Sequence, residues 1–389
     1  MKHALLVWLG LGACGGRATT TTIPAGTHAI PVDDLPGRGT RATGSAGGSG
    51  GGPDRDGLAA KDPRIVDLDI IRIRGNSVGP EEAPIATTDL FRAANEAAKA
   101  GRTQDAIARY RSLVDSFPDS KYAPVALFDI AALYDGQADT AATITTLREL
   151  VTKYPDAHES IEGHLYIAAL QADHQQWPEA AATLAEVLAR SGLTEADRLE
   201  AHARAGYVAL ERRQYDAADA SLDAAIADWR RAPHIDDPYY IAMAHYYRGE
   251  VLHRKFAAAP VRLPDTQLVV DLDAKRVLAA RAYDRWKESL AFKQAYWATA
   301  AGYQMSQIFV ELWDATVKAP LPTQLPGAVR AAYLNELHAK MHEHLVKALD
   351  GHQQNIELAK AFGVDTPWSQ ASATRAAQVM DLLAAEAKR

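Results

Sequence analysis

The stretch FRAANEAAKAGRTQDAIARYRSLVDSFP, residues 91–118, decides the fold. Ala94 and Ala106 are small residues twelve positions apart, and Ala106, Tyr110 and Leu113 follow at i, i+4 and i+7, the spacing of one helical face. Gly101-Arg102 breaks the period between the two blocks, and Pro118 closes the second. The segment reads as two short helices joined by a tight turn. A small residue on each lets the backbones approach, while Tyr110 and Leu113 fill the space beside the crossing.

Working outward, the same face recurs with Thr143, Leu147 and Leu150, with Ala180, Leu184 and Val187, and with Ala218, Leu222 and Ala225. From Ala106 the steps to Thr143, Ala180 and Ala218 are 37, 37 and 38 residues. Twelve residues before each second-helix set stands another small residue, in turn Ala94, Ala131, Ala168 and Gly206. Tyr154-Pro155 ends the second unit as Phe117-Pro118 ends the first. One hairpin of this size cannot bury its apolar faces alone, so repeated hairpins stack. The spacing predicts four of them over 87–231.

These residues resemble the tetratricopeptide repeat family, whose hairpins carry small residues at the crossing, bulkier ones beside it and a closing proline. The chain departs from the family in its longer units, in Thr143 where alanine is usual, and in lacking the proline after the third and fourth hairpins. The resemblance implies an all-α fold, a TPR-like α-solenoid of stacked helical hairpins with a concave face that holds protein partners.

Beyond 231 the regularity loosens, and 232–389 reads as divergent helical repeats with C-terminal capping helices. A first helix spans 238–255, with Tyr239, Met243 and Tyr247 as its core stripe; Tyr240 and Tyr246 fall off that stripe and read first as core and, as the alternative, as exposed anchors for a partner. Its partner helix is expected at 274–292, delayed by an insertion at 256–273 that holds Pro260, Pro264 and a strand-like Leu268–Leu272. Further helices follow at 294–317, 328–362 and 369–388. Loops inserted in solenoids often lie at a binding face, which singles out Val270.

The N-terminus carries a separate message. Residues 1–13 have the form of a signal peptide: Lys2, an apolar run from Ala4 to Ala13, and a length too short to span a bilayer. Leu11-Gly12-Ala13-Cys14 resembles the bacterial lipobox, which implies a diacylglyceryl group on Cys14 and palmitate-type acylation of the mature end. Cys14 is also the single cysteine of 389 residues, so no internal disulfide can form. Gly15 after it fits the resemblance to sorting towards the outer membrane. Residues 14–61, rich in Gly, Thr, Ala, Pro and Ser, are expected as a disordered N-terminal tether and flexible linker, with a reach of roughly 35 to 40 Å. Segment 62–86 is expected to be extended, with Val66, Leu68 and Ile70 alternating with Asp67 and Asp69. Ile70 could lie along the helical body or add to a partner's sheet edge.

Little in the chain suggests chemistry. A formal net charge of -7 and the lack of a basic patch interleaved with aromatics argue against nucleic acid. His338, His342 and His344, near Glu336 and Glu343, make the strongest metal-like cluster, but Ala339 stands where a zinc protease helix places glutamate. Gly47–Gly52 lacks the following Lys-Ser or Lys-Thr of a phosphate loop. No catalytic residue, metal or cofactor is expected. Repeats joined to a lipobox resemble the accessory lipoproteins of Gram-negative envelopes. That implies a non-enzymatic scaffold, periplasm-facing on the outer membrane, that binds proteins of an envelope assembly, secretion or motility complex. The sequence leaves two alternatives: a small-ligand or glycan-binding module with a closed pocket lined by the 239–313 aromatics, and a metal-dependent enzyme using the His338 region.

Overall fold

The computed structural model describes residues 83–388 apart from Pro233 and Gln324. The expected signal peptide, Cys14, the expected 14–61 linker and the part of segment 62–86 that carries Ile70 lie outside the described residues. Those described form thirteen α-helices and no strand. They fall into two compact units, divided between Glu159 and Ser160. That boundary lies inside the array expected over 87–231; a solenoid whose repeats touch only their neighbours can part between any two hairpins.

The first unit holds α1 (Ala83–Lys99), α2 (Thr103–Ser116), α3 (Tyr122–Asp135) and α4 (Thr140–Lys153). Helix α1 begins inside the segment expected to be extended to 86, with Pro84 in the first turn, where its missing N–H costs nothing. Helices α1 and α2 pair, as do α3 and α4, and α3 packs on both helices of the first hairpin. Ala94, Ala106, Tyr110, Leu113, Ala131, Thr143, Leu147 and Leu150 are all at most 1% exposed. Phe91 stacks on Tyr122 with ring centroids 4.9 Å apart. Arg111 reaches Glu149 at 2.7 Å, and the Tyr154 hydroxyl donates to the Pro118 carbonyl at 2.9 Å, joining equivalent points of successive hairpins.

The second unit holds α5 (His158–Asp173), α6 (Trp177–Leu188), α7 (Glu195–Glu211), α8 (Tyr215–Arg231), α9 (Tyr239–Ala258), α10 (Asp265–Ala291), α11 (Ala295–Val317), α12 (Gly327–Phe362) and α13 (Pro367–Glu386). Thr194 and Thr366 start α7 and α13 with reciprocal capping boxes to Asp197 and Ser369. Ala168, Ala180, Leu184, Ala218 and Leu222 are buried. At Gly206 a Cβ would stand 2.4 Å from Leu222 Cγ, so the α7–α8 crossing admits no side chain there. Gly249 against Trp286 of α10 and Gly302 against Asn355 of α12 repeat that arrangement in the divergent half.

One element of the repeat was hidden in the sequence. Gly101, Ala138, Gln175 and Arg213 all take left-handed backbone, with φ of +71°, +58°, +58° and +59°. They stand at the same point of each hairpin's inner turn. After each, the next amide bonds back five residues: Arg102 to Ala97, Asp139 to Tyr134, Gln176 to Gln171 and Gln214 to Ala209, at 2.8 to 3.0 Å. This is the Schellman closure of a helix C-terminus, kept at all four turns although only the first carries glycine.

Segment 256–273 differs from its expected form. Helix α9 runs on to Ala258, residues 259–264 connect, and α10 has begun by Asp265. There is no strand at Leu268–Leu272. Leu268 and Leu272 open a buried stripe continued by Lys275, Ala279, Ala282 and Trp286, at the three-and-four spacing of a helix. Burial of that stripe overrides the local β preference of Val269 and Val270. Arg262 fixes the connection by gripping Asp271 through Nε at 2.8 Å and Nη2 at 2.9 Å, and these bonds hold the Asp271 carboxyl down at about 2.

Candidate functional site

In the second unit α7, α9, α11 and α13 pack in succession, each being the first helix of its hairpin or, for α13, the last helix of the series. Helices α8, α10 and α12 are the second helices of the hairpins that α7, α9 and α11 begin. The row of first helices brings together two sets of side chains.

The first set is aromatic. Tyr207 of α7 stacks on Tyr247 of α9 at 4.7 Å, and Trp297 of α11 meets Tyr239 at 5.6 Å, Tyr246 at 5.3 Å and Tyr247 at 5.6 Å. Trp368 of α13 meets Tyr246 at 6.0 Å and Tyr303 at 5.6 Å. These rings close upon one another. Tyr240 and Tyr246, candidates for exposed anchors if not core, are only 5% and 2% exposed and so belong to the core. The cause is tertiary: α7, α8, α10 and α11 all pack against α9, so residues 239–247 are all buried, including the positions off its core stripe. The Tyr240 hydroxyl accepts from buried Arg204 at 2.8 Å, and Gln304 donates to the Tyr246 hydroxyl at 3.3 Å. Burial drives the pKa of Tyr207, Tyr240, Tyr246 and Tyr247 well up. Burial opposes the charge on Arg204, but Tyr240 and Glu200 outweigh it and its pKa rises.

The second set is polar and begins one turn further along α9. Arg254 reaches across to Glu211 of α7 at 3.4 Å, and His253 Nε2 meets Glu311 of α11 at 2.6 Å. Gln307 donates to Glu311 at 3.1 Å, and Arg375 of α13 donates to Gln307 at 2.8 Å. Glu250 stands one turn before Arg254, with Oε2 3.8 Å from His253 Nδ1. It is 5% exposed, and its Oε1 has no hydrogen-bond partner. Burial works against protonation of His253, yet Glu311 and Glu250 overcome it and raise its pKa to about 10. Burial likewise opposes the Glu311 charge, and His253 more than compensates, holding that carboxyl down.

The sequence did not single out Glu250, His253, Glu311 or Arg375. A signal for Glu250 was present: it falls seven residues after Met243 and three after Tyr247, a carboxylate on the stripe read as core. Val270 stands away from this face, 60% exposed on α10. A separate open groove of about 870 Å³ runs over α11 between α10 and α12, walled by Tyr283, Leu290, Met305, Phe309 and Leu358.

The His338 region is not brought together. His338 Nδ1 pairs with Glu386 of α13 at 2.5 Å, while His342 is exposed. Glu336 and Glu343 bond lysines of their own helix, Lys340 at 2.8 Å and Lys347 at 2.7 Å. Among the described residues no group of three His, Cys, Asp or Glu is placed to hold a metal ion. Nor is any helix among them long and apolar enough to cross a membrane.

Residues 90–120 and 125–157 match the tetratricopeptide repeat family. Over these two segments the chain matches tetratricopeptide repeats. The first matched segment covers the later part of α1 and all of α2, and the second covers most of α3 and all of α4. No curated protein matches the chain. Among solved structures it is similar to the P58(IPK) TPR domain, at 13% identity over 76% of this chain and 99% of that one, with a TM-score of 0.27.

Proposed function

We propose that this chain is a non-catalytic scaffold, lipid-anchored through Cys14 to the periplasmic side of the outer membrane, whose repeats hold proteins of an envelope assembly, secretion or motility complex. The observation that carries the binding mode is the repeat match at 90–157, set in a chain built throughout its described part from helical hairpins. Hairpin stacks present extended faces suited to a peptide or loop, and the side chains found there bind by shape and charge without arranging a nucleophile, an acid–base pair or a metal. The anchor rests on Leu11-Gly12-Ala13-Cys14. Confinement near a membrane raises the effective concentration of the scaffold for partners held at the same surface.

The test is photo-crosslinking in intact cells from probes at exposed Val270 and Ala257, with identification of the adducts, alongside membrane fractionation of C14S. The expected results are one or a few reproducible envelope-protein adducts, and release of C14S from membranes with its helical content unchanged. No reproducible protein adduct from either probe would overturn the scaffold reading. Full retention of C14S after salt and carbonate washes would overturn the anchor.

A further inference from the structure

In the second unit the first helices take their second helices along one line. On α9 it runs through Gly249, His253 and Phe256. A Cβ at Gly249 would meet Trp286 of α10 at 2.3 Å, the His253 ring lies 5.5 Å from Trp286, and Lys275 of α10 stands 4.2 Å over Phe256. On α11 the same spacing gives Gly302, Ser306 and Phe309, which meet Asn355, Gly351 and His344 of α12. Helix α13 opens as α11 does. Trp297 of α11 and Trp368 of α13 both close on Tyr246, and the line begins five residues after each, at Gly302 and at Ala373. On α13 it continues through Ala377 and Met380, and all three are exposed, Met380 by 49%. Ser372, Ala376 and Val379, on the side turned to the preceding helices, are buried. Helix α13 is therefore a first helix whose second-helix side stands open.

The residues on that side say what fits it. At alternating steps of three and four the line is Gln370, Ala373, Ala377, Met380, Ala384 and Ala387, exposed throughout and without a charge. A helix that merely ends a stack is expected to turn a polar face outward. The pattern is its own complement, since its steps read the same in both directions. When two copies of α13 lie antiparallel, Gln370 of one meets Ala387 of the other, Ala373 meets Ala384, and Ala377 meets Met380, so the one bulky side chain falls against a small one. The charges agree with that register. Asp381 comes beside Thr374 of the other copy, not beside a second carboxylate, and Lys388 comes within about 6 Å along the axis of the other copy's Asp365. The same patch serves both copies, so the arrangement closes at two.

We infer that α13 joins two copies of this chain, packed antiparallel through Ala373, Ala377, Met380 and Ala384 about a two-fold axis. The face is about 26 Å long and carries one large side chain per copy, less than a standard interface offers, so the association is weak and reversible. Confinement by the proposed Cys14 anchor would strengthen it.

The test uses the full chain as C14S, which has no other cysteine, in sedimentation equilibrium up to high micromolar concentration. A reversible dimer is expected. M380E and A377E should each raise its dissociation constant at least about tenfold, because the new carboxylate is desolvated without a partner. Both positions are exposed in the single chain, so helical content should not change. V277E, on the exposed side of α10, should leave the dimer as it was. Disulfide formation reads the register: A373C mixed with A384C should crosslink, whereas A373C alone should not, since antiparallel packing holds the two copies of position 373 about 16 Å apart. A chain monomeric at every concentration, a dimer indifferent to M380E and A377E, or A373C crosslinking to itself as readily as to A384C would overturn the inference. So would a different protein captured at Met380 in cells in place of a second copy, an outcome that leaves the scaffold reading standing.

Discussion

Replacing Gly249 with alanine places one methyl group where the hairpin α9–α10 has no room for it. An ideal Cβ at Gly249 would lie 2.3 Å from Trp286 Nε1, 2.4 Å from Cδ1 and 2.8 Å from Cε2, against 3.4 Å or more for ordinary contact. The indole would have to retreat by about an ångström, yet Trp286 is 0% exposed and enclosed by core. Overpacking of this kind costs about 1–3 kcal/mol. Alanine in mid-helix returns up to about 1 kcal/mol of backbone entropy relative to glycine. The net expectation for G249A is a loss of about 1–2 kcal/mol, read as a lower urea midpoint at unchanged m-value by circular dichroism. A double-mutant cycle separates the steric cause from any other. W286L alone leaves a cavity and costs about 2–4 kcal/mol; in G249A/W286L the new methyl enters that space, so the pair should be less damaging than the sum by about 1–2 kcal/mol. A G249A chain as stable as the wild type, or a cycle without coupling, would show that the close approach at Gly249 does not set the α9–α10 crossing.

The left-handed turns give the opposite prediction for glycine. A138G, Q175G and R213G should each stabilise by about 0.5–1 kcal/mol in the same urea assay, because relief of a left-handed non-glycine residue exceeds the added entropy of the unfolded chain; loss of stability would contradict the shared turn. His352, 0% exposed, has its pKa lowered to about 4, first by burial and then by Arg375. Its folded pKa lies below the unfolded value of 6.5, so the unfolded chain takes up the proton first and stability should fall between pH 6.5 and 4, by on the order of 3 kcal/mol at most. H352Q should flatten that part of the profile, and an unchanged slope would refute the assignment. His253 behaves in the reverse sense: its pKa is raised to about 10, so its contribution is complete below 6.5 and is lost as pH rises through 10. H253Q should therefore reduce the loss of stability between neutral and alkaline pH, measured as the midpoint difference between pH 7 and pH 10; no reduction would count against the Glu311 pairing.

Much of the repeat could be read in advance because it is local. Ala106, Tyr110 and Leu113 lie within eight residues, and their spacing alone puts them on one face. The Schellman turns escaped because Ala138, Gln175 and Arg213 lack the glycine that marks Gly101; the helix–helix crossing imposes the conformation and tolerates its cost. The strand-like reading of Leu268–Leu272 failed for a related reason. A run of β-branched and leucine residues has no fixed period over five positions, and the fit of Leu268 and Leu272 into a longer stripe ending at Trp286 decided it. At the candidate site the sequence picked Tyr240 and Tyr246 by their offset from a core stripe, a rule valid only for a helix with one exposed side.

The sequence by itself determined the hairpin, its period and its small-residue crossings, since those follow from which side chains recur every three or four positions and every 37 or 38 residues. It also supplied the motif at Cys14 on which the proposed anchor rests. Only the tertiary structure decided which residues are core and which are surface. Whether a residue on α9 is core or surface depends on how many helices surround it, and four do. That enclosure buries the tyrosines, brings Glu211 of α7, Glu250 of α9, Glu311 of α11 and Arg375 of α13 into one polar field, and leaves Glu250 with an oxygen unmet. Such an arrangement depends on residues more than a hundred positions apart, and no local period encodes it.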